Sequence, residues 1–73
     1  MTKEEWLAWL IADSLDGEMY AGNGHCLVSA MQRTLISGQE EYTNQVVVKV
    51  CNEDEIDIPG AGEEFLVFII KKI

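Results

Sequence analysis

The sequence contains little of what catalytic and metal-binding sites are usually built from. Among its 73 residues there are one histidine, His25, and two cysteines, Cys26 and Cys51. A nucleophilic side chain needs a base to take its proton, and a structural zinc site needs four ligands at close spacing. The chain has neither two cysteines nor two histidines at such a spacing. We therefore expect no enzyme, no metal site and no cofactor.

Basic residues are also few. Five lysines and arginines stand against thirteen aspartates and glutamates, which gives a net charge of −8 at pH 7. A field of that sign repels nucleic-acid phosphates and anionic membrane surfaces, and it attracts basic protein surfaces. We expect a basic protein partner and no direct binding of nucleic acid or membrane. The alternative is that the acidity only keeps a small protein soluble.

Long hydrophobic runs are missing. The longest one, Phe65 to Ile70, is far shorter than the roughly 20 residues that cross a bilayer. The N-terminus also lacks a basic segment followed by an apolar core, which is the pattern of a secretory signal. We expect one globular domain over residues 1–73, cytoplasmic and monomeric, with both thiols reduced.

The stretch from Gly22 to Met31, GNGHCLVSAM, resembles the nucleophile-bearing helix start of papain-like proteases and ovarian-tumour-type deubiquitinases. The resemblance implies a catalytic role for Cys26. However, neighbouring residues on a helix point about 100° apart, so His25 is poorly placed to serve as its base. We interpret this stretch as the start of a second helix, and both cysteines as small buried hydrophobic residues.

Two helices are predicted in the first half of the chain. Thr2 and Glu5 form a capping-box pattern, and Trp6, Leu7, Leu10 and Ile11 recur on one helical face. This pattern predicts a helix over residues 3–15, ended by Asp16-Gly17. Residues 17–25 read as a loop, and a second helix is predicted over residues 25–36, closed by Ser37-Gly38.

In the second half of the chain, the spacing of the hydrophobic residues changes from that of a helix to that of strands. Residues 44–51 are rich in β-branched side chains, residues 55–58 alternate, and residues 65–71 are apolar on both faces, as in a central strand. Pro59 to Gly62 supplies a turn. The predicted fold is α+β, with two N-terminal helices packed on a small, mainly antiparallel three-stranded sheet (ααβββ). Its predicted core contains Trp6, Leu10, Leu27, Met31, Leu35, Val46, Val48, Phe65, Val67 and Ile69.

Two groups of residues are candidates for binding a partner. The first is a run of acidic residues near the end of the predicted sheet, Glu53, Asp54, Glu55 and Asp57, followed by Glu63 and Glu64. The second is a stripe on the first helix, where Glu5, Trp9 and Asp13 recur at intervals of four. A tryptophan framed by carboxylates suits an interface with a basic partner. The alternatives are a solvated acidic loop and a tryptophan that only covers the edge of the core.

In size, acidity and compact α+β pattern, the chain resembles the small host-takeover proteins of bacteriophages. Among these it is most similar to the RNA-polymerase-binding transcription regulators of Xanthomonas phages. The resemblance implies binding near the amino-terminal region of the polymerase β′ subunit in the host bacterial cytoplasm. It also implies inhibition of initiation and promotion of antitermination. The alternative in the same class is an acidic nucleic-acid mimic that inhibits a host defence nuclease, as anti-CRISPR proteins do.

Overall fold

The computed structural model describes residues 1–22, 24–37 and 39–73, and this part of the chain contains one helix followed by four strands. Helix α1 spans Lys3–Ser14, and the strands are β1 (Asp16–Ala21), β2 (Gly24–Ser37), β3 (Gln39–Asn52) and β4 (Glu63–Phe68). A short 3-10 turn, Glu53–Glu55, lies between β3 and β4. The predicted order ααβββ is therefore wrong, and the observed order is αββββ.

The four strands form one antiparallel sheet in the order β1-β2-β3-β4, so that each strand pairs with its neighbours in sequence. β1 pairs only with the first part of β2, up to Ser29, and β4 pairs with β3 between Gln45 and Val50. The β2–β3 hairpin therefore extends beyond both outer strands. Its register shifts between Gln32 and Thr34, which marks a β-bulge.

The predicted second helix, residues 25–36, is wrong, because these residues form most of β2. Alanine, methionine, glutamine and leucine favour a helix locally, but pairing with the valines of β3 outweighs this preference. Val28 lies opposite Val50, and Ala30 lies opposite Val48. The predicted helix end at Ser37-Gly38 falls in part on Gly38, which lies outside the described residues.

Two further segments differ from the sequence prediction. The predicted loop over residues 17–25 contains most of β1, and Gly22 adopts the left-handed conformation (φ 59°) where the chain turns towards β2. The predicted strand over residues 55–58 instead begins with the end of the 3-10 turn. The Glu55 carboxylate accepts hydrogen bonds from the backbone N–H groups of Asn52 and Gly62, both at 3.2 Å. These bonds close the connection into a compact loop.

The core lies between α1 and one face of the sheet. Ala8 and Val46 are fully buried (0% exposed), and Val28 and Val48 complete the buried cluster. The predicted burial of Val46 and Val48 is confirmed. Leu27 and Ile69 are only partly buried, and the remaining predicted core residues are exposed: Trp6, Leu10, Met31, Leu35, Phe65 and Val67. The small side chain of Ala8 lets the helix approach β2 and β3 closely, so the helix packs through Ala8, Ile11, Ala12 and Leu15.

No helix in the described part of the chain is long and apolar enough to cross a membrane.

Candidate functional site

Helix α1 exposes large apolar side chains on the side that faces away from the sheet. Trp6 and Leu10 are each 51% exposed, and Trp9 is 40% exposed. Asp13 is exposed on the same side. We call Trp6, Trp9, Leu10 and Asp13 the outer helix face. A helix on the surface of a monomer normally carries polar residues there, so an apolar outer face is typical of a helix that is covered by a partner.

The two tryptophans of the outer helix face hold each other in place. Their ring centroids are 6.1 Å apart and the ring planes meet at 87°, which is an edge-to-face arrangement. Trp9 also lines a groove of about 340 Å³, together with Ala30 and Thr34 of β2 and Tyr42 of β3. Trp9 therefore covers one margin of the helix–sheet contact and still presents a large part of its ring to solvent.

The two acidic residues predicted beside Trp9 have different roles. The Glu5 carboxylate accepts a hydrogen bond of 2.6 Å from the Thr2 backbone N–H, and Thr2 Oγ1 accepts one of 3.2 Å from the Glu5 backbone N–H. The backbone and side-chain hydrogen bonds with Thr2 lower the pKa of Glu5 below its ordinary value. Glu5 is thus a helix-capping residue. Asp13 is exposed and lines the same groove as Trp9.

Some of the acidic residues that follow β3 bond to other residues of the fold. Glu55 holds the loop through Asn52 and Gly62, as described above. Glu53 Oε1 lies 2.5 Å from His25 Nδ1. Asp54 and Asp57 are exposed, and we find no hydrogen bond or ion pair for their side chains within the described residues. Two of the four predicted acidic residues therefore have partners in the fold, and the other two face solvent.

A small polar cluster surrounds His25, and the sequence did not predict it. The Tyr20 hydroxyl donates a hydrogen bond of 2.7 Å to Glu18, and the Tyr20 ring lies 5.3 Å from the His25 ring. The hydrogen bond to the Glu18 carboxylate raises the pKa of Tyr20, and the charge of Glu53 adds a smaller effect. Because His25 and Cys26 are neighbours on a strand, their side chains point to opposite faces of the sheet. His25 is thus directed away from the Cys26 thiol.

The structure divides the predicted binding residues into two separate groups. Gln32, which bonds to the backbone of Glu5, pairs with Val46, six residues before Asn52. About 20 Å of strand therefore separates the start of α1 from the acidic loop. Glu53 contacts His25 on the face of the sheet that α1 does not cover. Glu5, Trp9 and Asp13 thus stay together along the helix, whereas the acidic run lies at the far end of the sheet.

The side of the sheet opposite α1 carries a second apolar surface that the sequence reading missed. The strand registers place Leu27, Met31, Val47, Leu66 and Phe68 on this face, and we call these residues the open sheet face. Met31 is 71% exposed and Phe68 is 52% exposed. Leu27, Ser29 and Met31 stand two residues apart, which would place them on one face of a strand. This spacing was the available signal, and the helix prediction for these residues concealed it.

The His, Cys, Asp and Glu side chains of residues 1–22, 24–37 and 39–73 do not gather in groups of three or more that could hold a metal ion. Comparisons of the chain with protein-family models, with curated proteins and with solved structures gave no match.

Proposed function

We propose that the protein is a regulator that docks its outer helix face, flanked by carboxylates, on a basic surface of another protein. The resemblance to phage host-takeover proteins makes bacterial RNA polymerase the proposed partner, near the amino-terminal region of the β′ subunit. In that setting the protein acts in the host cytoplasm, inhibits initiation and promotes antitermination.

The observation that supports this proposal is the exposure of Trp6, Trp9 and Leu10 beside the Asp13 carboxylate. Buried aromatic anchors at interfaces commonly contribute about 2 kcal/mol or more, and tryptophan is among the residues most enriched there. The net charge of −8 supplies long-range attraction towards a basic partner. Salt weakens this attraction because it shortens the Debye length to about 8 Å at physiological strength.

A nucleic-acid mimic requires a dense array of carboxylates and has no use for an apolar helix face. In this fold Glu55 bonds to backbone N–H groups and Glu53 contacts His25, so that fewer carboxylates of the acidic loop are directed outward. The mimic is therefore the less favoured alternative, and the same experiment distinguishes it.

The test is a titration of bacterial RNA polymerase with wild-type protein, Trp9→Ala and Asp13→Lys over a series of salt concentrations. Phe68→Ala is the matched control, because Phe68 is also an exposed aromatic residue but lies on the open sheet face, away from the groove that Trp9 and Asp13 line. We expect Trp9→Ala to weaken binding about 30-fold at every salt concentration. Asp13→Lys should weaken it mainly at low salt, and Phe68→Ala should bind as the wild type does.

Three outcomes contradict the proposal. If Trp9→Ala and Asp13→Lys bind as tightly as the wild type, the outer helix face is not the site. If the wild type does not bind at low salt, polymerase is not the partner. If neutralising Asp54 and Asp57 abolishes binding while Trp9→Ala has no effect, the protein acts as a mimic.

A further inference from the structure

Strand β4 lies at the edge of the sheet, although its sequence is that of a central strand. Within the described residues it pairs with β3 alone, and all six of its residues are exposed. Phe65 and Phe68 are 50% and 52% exposed, on opposite faces of the strand. Edge strands in monomeric proteins usually carry a charge, a proline or a bulge that prevents further pairing. The run from Phe65 to Ile70 contains neither a charge nor a proline.

The outer edge of β4 also presents backbone groups for pairing. The Ile69 backbone N–H donates a hydrogen bond of 2.9 Å to the Asn44 carbonyl, which continues the β3–β4 register by one residue. In an antiparallel ladder, alternate residues direct both backbone groups to the same neighbour. Phe65 and Val67 therefore bond to β3 as Ile69 does, whereas Leu66 and Phe68 direct their N–H and C=O groups away from it.

The charges around β4 favour pairing with a copy of itself. Two glutamates, Glu63 and Glu64, begin the strand, and two lysines, Lys71 and Lys72, follow its apolar run. Antiparallel self-pairing places the glutamates of one copy beside the lysines of the other. Parallel pairing would place like charges together, which destabilises a sheet.

We propose that β4 pairs antiparallel with β4 of a second copy of this chain, which joins the two sheets into one of eight strands. The outward groups of Leu66 and Phe68 fit a register centred on Val67. In it, Val67 faces Val67 of the second copy and Leu66 faces Phe68. Continued past Phe68, where β4 ends, the same register places Glu63 opposite Lys71. The arrangement is two-fold symmetric and closes with two copies. The remaining outer edge, on β1, carries Asp16 and Glu18, which oppose further pairing.

This dimer is independent of the proposed function. Helix α1 packs across the inner strands β2 and β3, through Val28, Val46 and Val48, so that pairing at β4 leaves the outer helix face accessible. The sequence analysis predicted a monomer and, separately, a central strand over residues 65–71. In the dimer, this segment does become central.

The first test measures the mass of the free protein by sedimentation equilibrium over a range of concentrations. We expect a dimer with twice the 8.2 kDa mass of one chain. Glu63→Lys and Lys71→Glu should each lower the dimer fraction, because each places like charges opposite one another. An equal mixture of the two variants should restore the dimer, because Glu and Lys then face each other at both ends. Glu63 suits this exchange since it lies opposite Val50 within its own sheet, whereas Glu64 lies opposite Lys49.

The second test determines the register by cross-linking in a Cys26→Ala/Cys51→Ser background. Val67→Cys places two thiols opposite each other in a non-hydrogen-bonded pair, where Cα atoms are about 4.5 Å apart, within the range of a disulfide. Phe65→Cys is the matched control, since its two copies would be four residues apart along the strands. We expect oxidation to produce a covalent dimer for Val67→Cys and not for Phe65→Cys.

The proposal is overturned if the protein stays monomeric at all concentrations, or if the mixed charge variants do not recover the dimer. Cross-linking of Phe65→Cys without cross-linking of Val67→Cys overturns it as well, as do open-ended larger species. A monomer whose β4 amides gain protection from hydrogen exchange only when polymerase is added would assign this edge to a strand of the partner instead.

Discussion

Gln32 Nε2 donates a hydrogen bond of 2.9 Å to the backbone carbonyl oxygen of Glu5, and this bond joins helix α1 to strand β2. The same nitrogen donates a bond of 2.8 Å to the carbonyl oxygen of Thr43 on β3. Gln32 is only 7% exposed and stands directly before the β-bulge. One amide group therefore connects the helix and both strands of the long hairpin.

We expect Gln32→Leu to lower the free energy of unfolding by about 1–3 kcal/mol. The substitution keeps the volume but removes the donor that joins two carbonyl oxygens of different elements at a site that water reaches poorly. It also removes the buried Gln32 Oε1, for which we find no partner within the described residues, so the loss should lie towards the lower end of this range. Urea denaturation followed by circular dichroism measures the change. Gln45→Leu is a control, because Gln45 bonds to the exposed Arg33 side chain. An equal loss of stability in both variants would contradict a special role for Gln32.

The orientation of α1 predicts a contrast between two apolar residues. Val46→Ala removes methyl groups from a fully buried site and should cost about 2 kcal/mol of unfolding free energy. Leu10→Ala removes a larger side chain, but Leu10 is 51% exposed and alanine favours a helix, so its cost should be below about 1 kcal/mol. Thermal and urea unfolding of both variants test this. A larger cost for Leu10→Ala would mean that the helix packs through its Trp6–Leu10 side.

The features that could be predicted from the sequence are those that depend on local interactions. The capping box of Thr2 and Glu5 marked the start of α1, and the valine run marked β3. Strand β2 was missed because its pairing partners lie up to 26 residues away, from Gln39 to Asn52. Helix-favouring residues dominate the local pattern there, and long-range pairing overrides them.

The local sequence pattern also could not predict which side of the helix is buried. Hydrophobicity alone favoured Trp6 and Leu10, but a close approach to the sheet selects the small Ala8. The same reversal places Trp6 and Leu10 on the surface next to Trp9, which extends the predicted site. The predicted grouping of Trp9 and Asp13 remains, and the acidic loop lies about 20 Å of strand away from the start of α1.

The capping box predicts a pH dependence of stability in the acid range. The hydrogen bonds with Thr2 hold the pKa of Glu5 below 4.5, so the folded state favours the ionised carboxylate. This contribution is present above pH 4.5 and is lost as the pH falls through the lower pKa of the folded state. The Glu5→Gln variant should therefore lose less stability between pH 5 and pH 3 than the wild type, as measured by urea unfolding at each pH. Glu4→Gln, one residue away, should follow the wild type, and an identical profile for Glu5→Gln would exclude the capping contribution.

The last prediction separates structural from solvent-facing acids in the loop between β3 and β4. Glu55 accepts hydrogen bonds from Asn52 and Gly62, whereas Asp54 beside it is exposed. Glu55→Ala leaves two backbone N–H groups without their acceptor and should lower the free energy of unfolding by about 1–2 kcal/mol. It should also increase hydrogen exchange of the Gly62 amide. Asp54→Ala removes the same charge but should change stability by less than about 0.5 kcal/mol.

Because the two variants have the same net charge, any difference between them reports on the hydrogen bonds and not on the overall field. Hydrogen exchange followed by NMR gives the Gly62 result residue by residue, and urea unfolding gives the global one. If both variants lose equal stability, charge in the loop stabilises the fold and the specific bonds do not. If neither loses stability, Glu55 is available to a partner, and the acidic loop presents three outward carboxylates, since Glu53 still contacts His25.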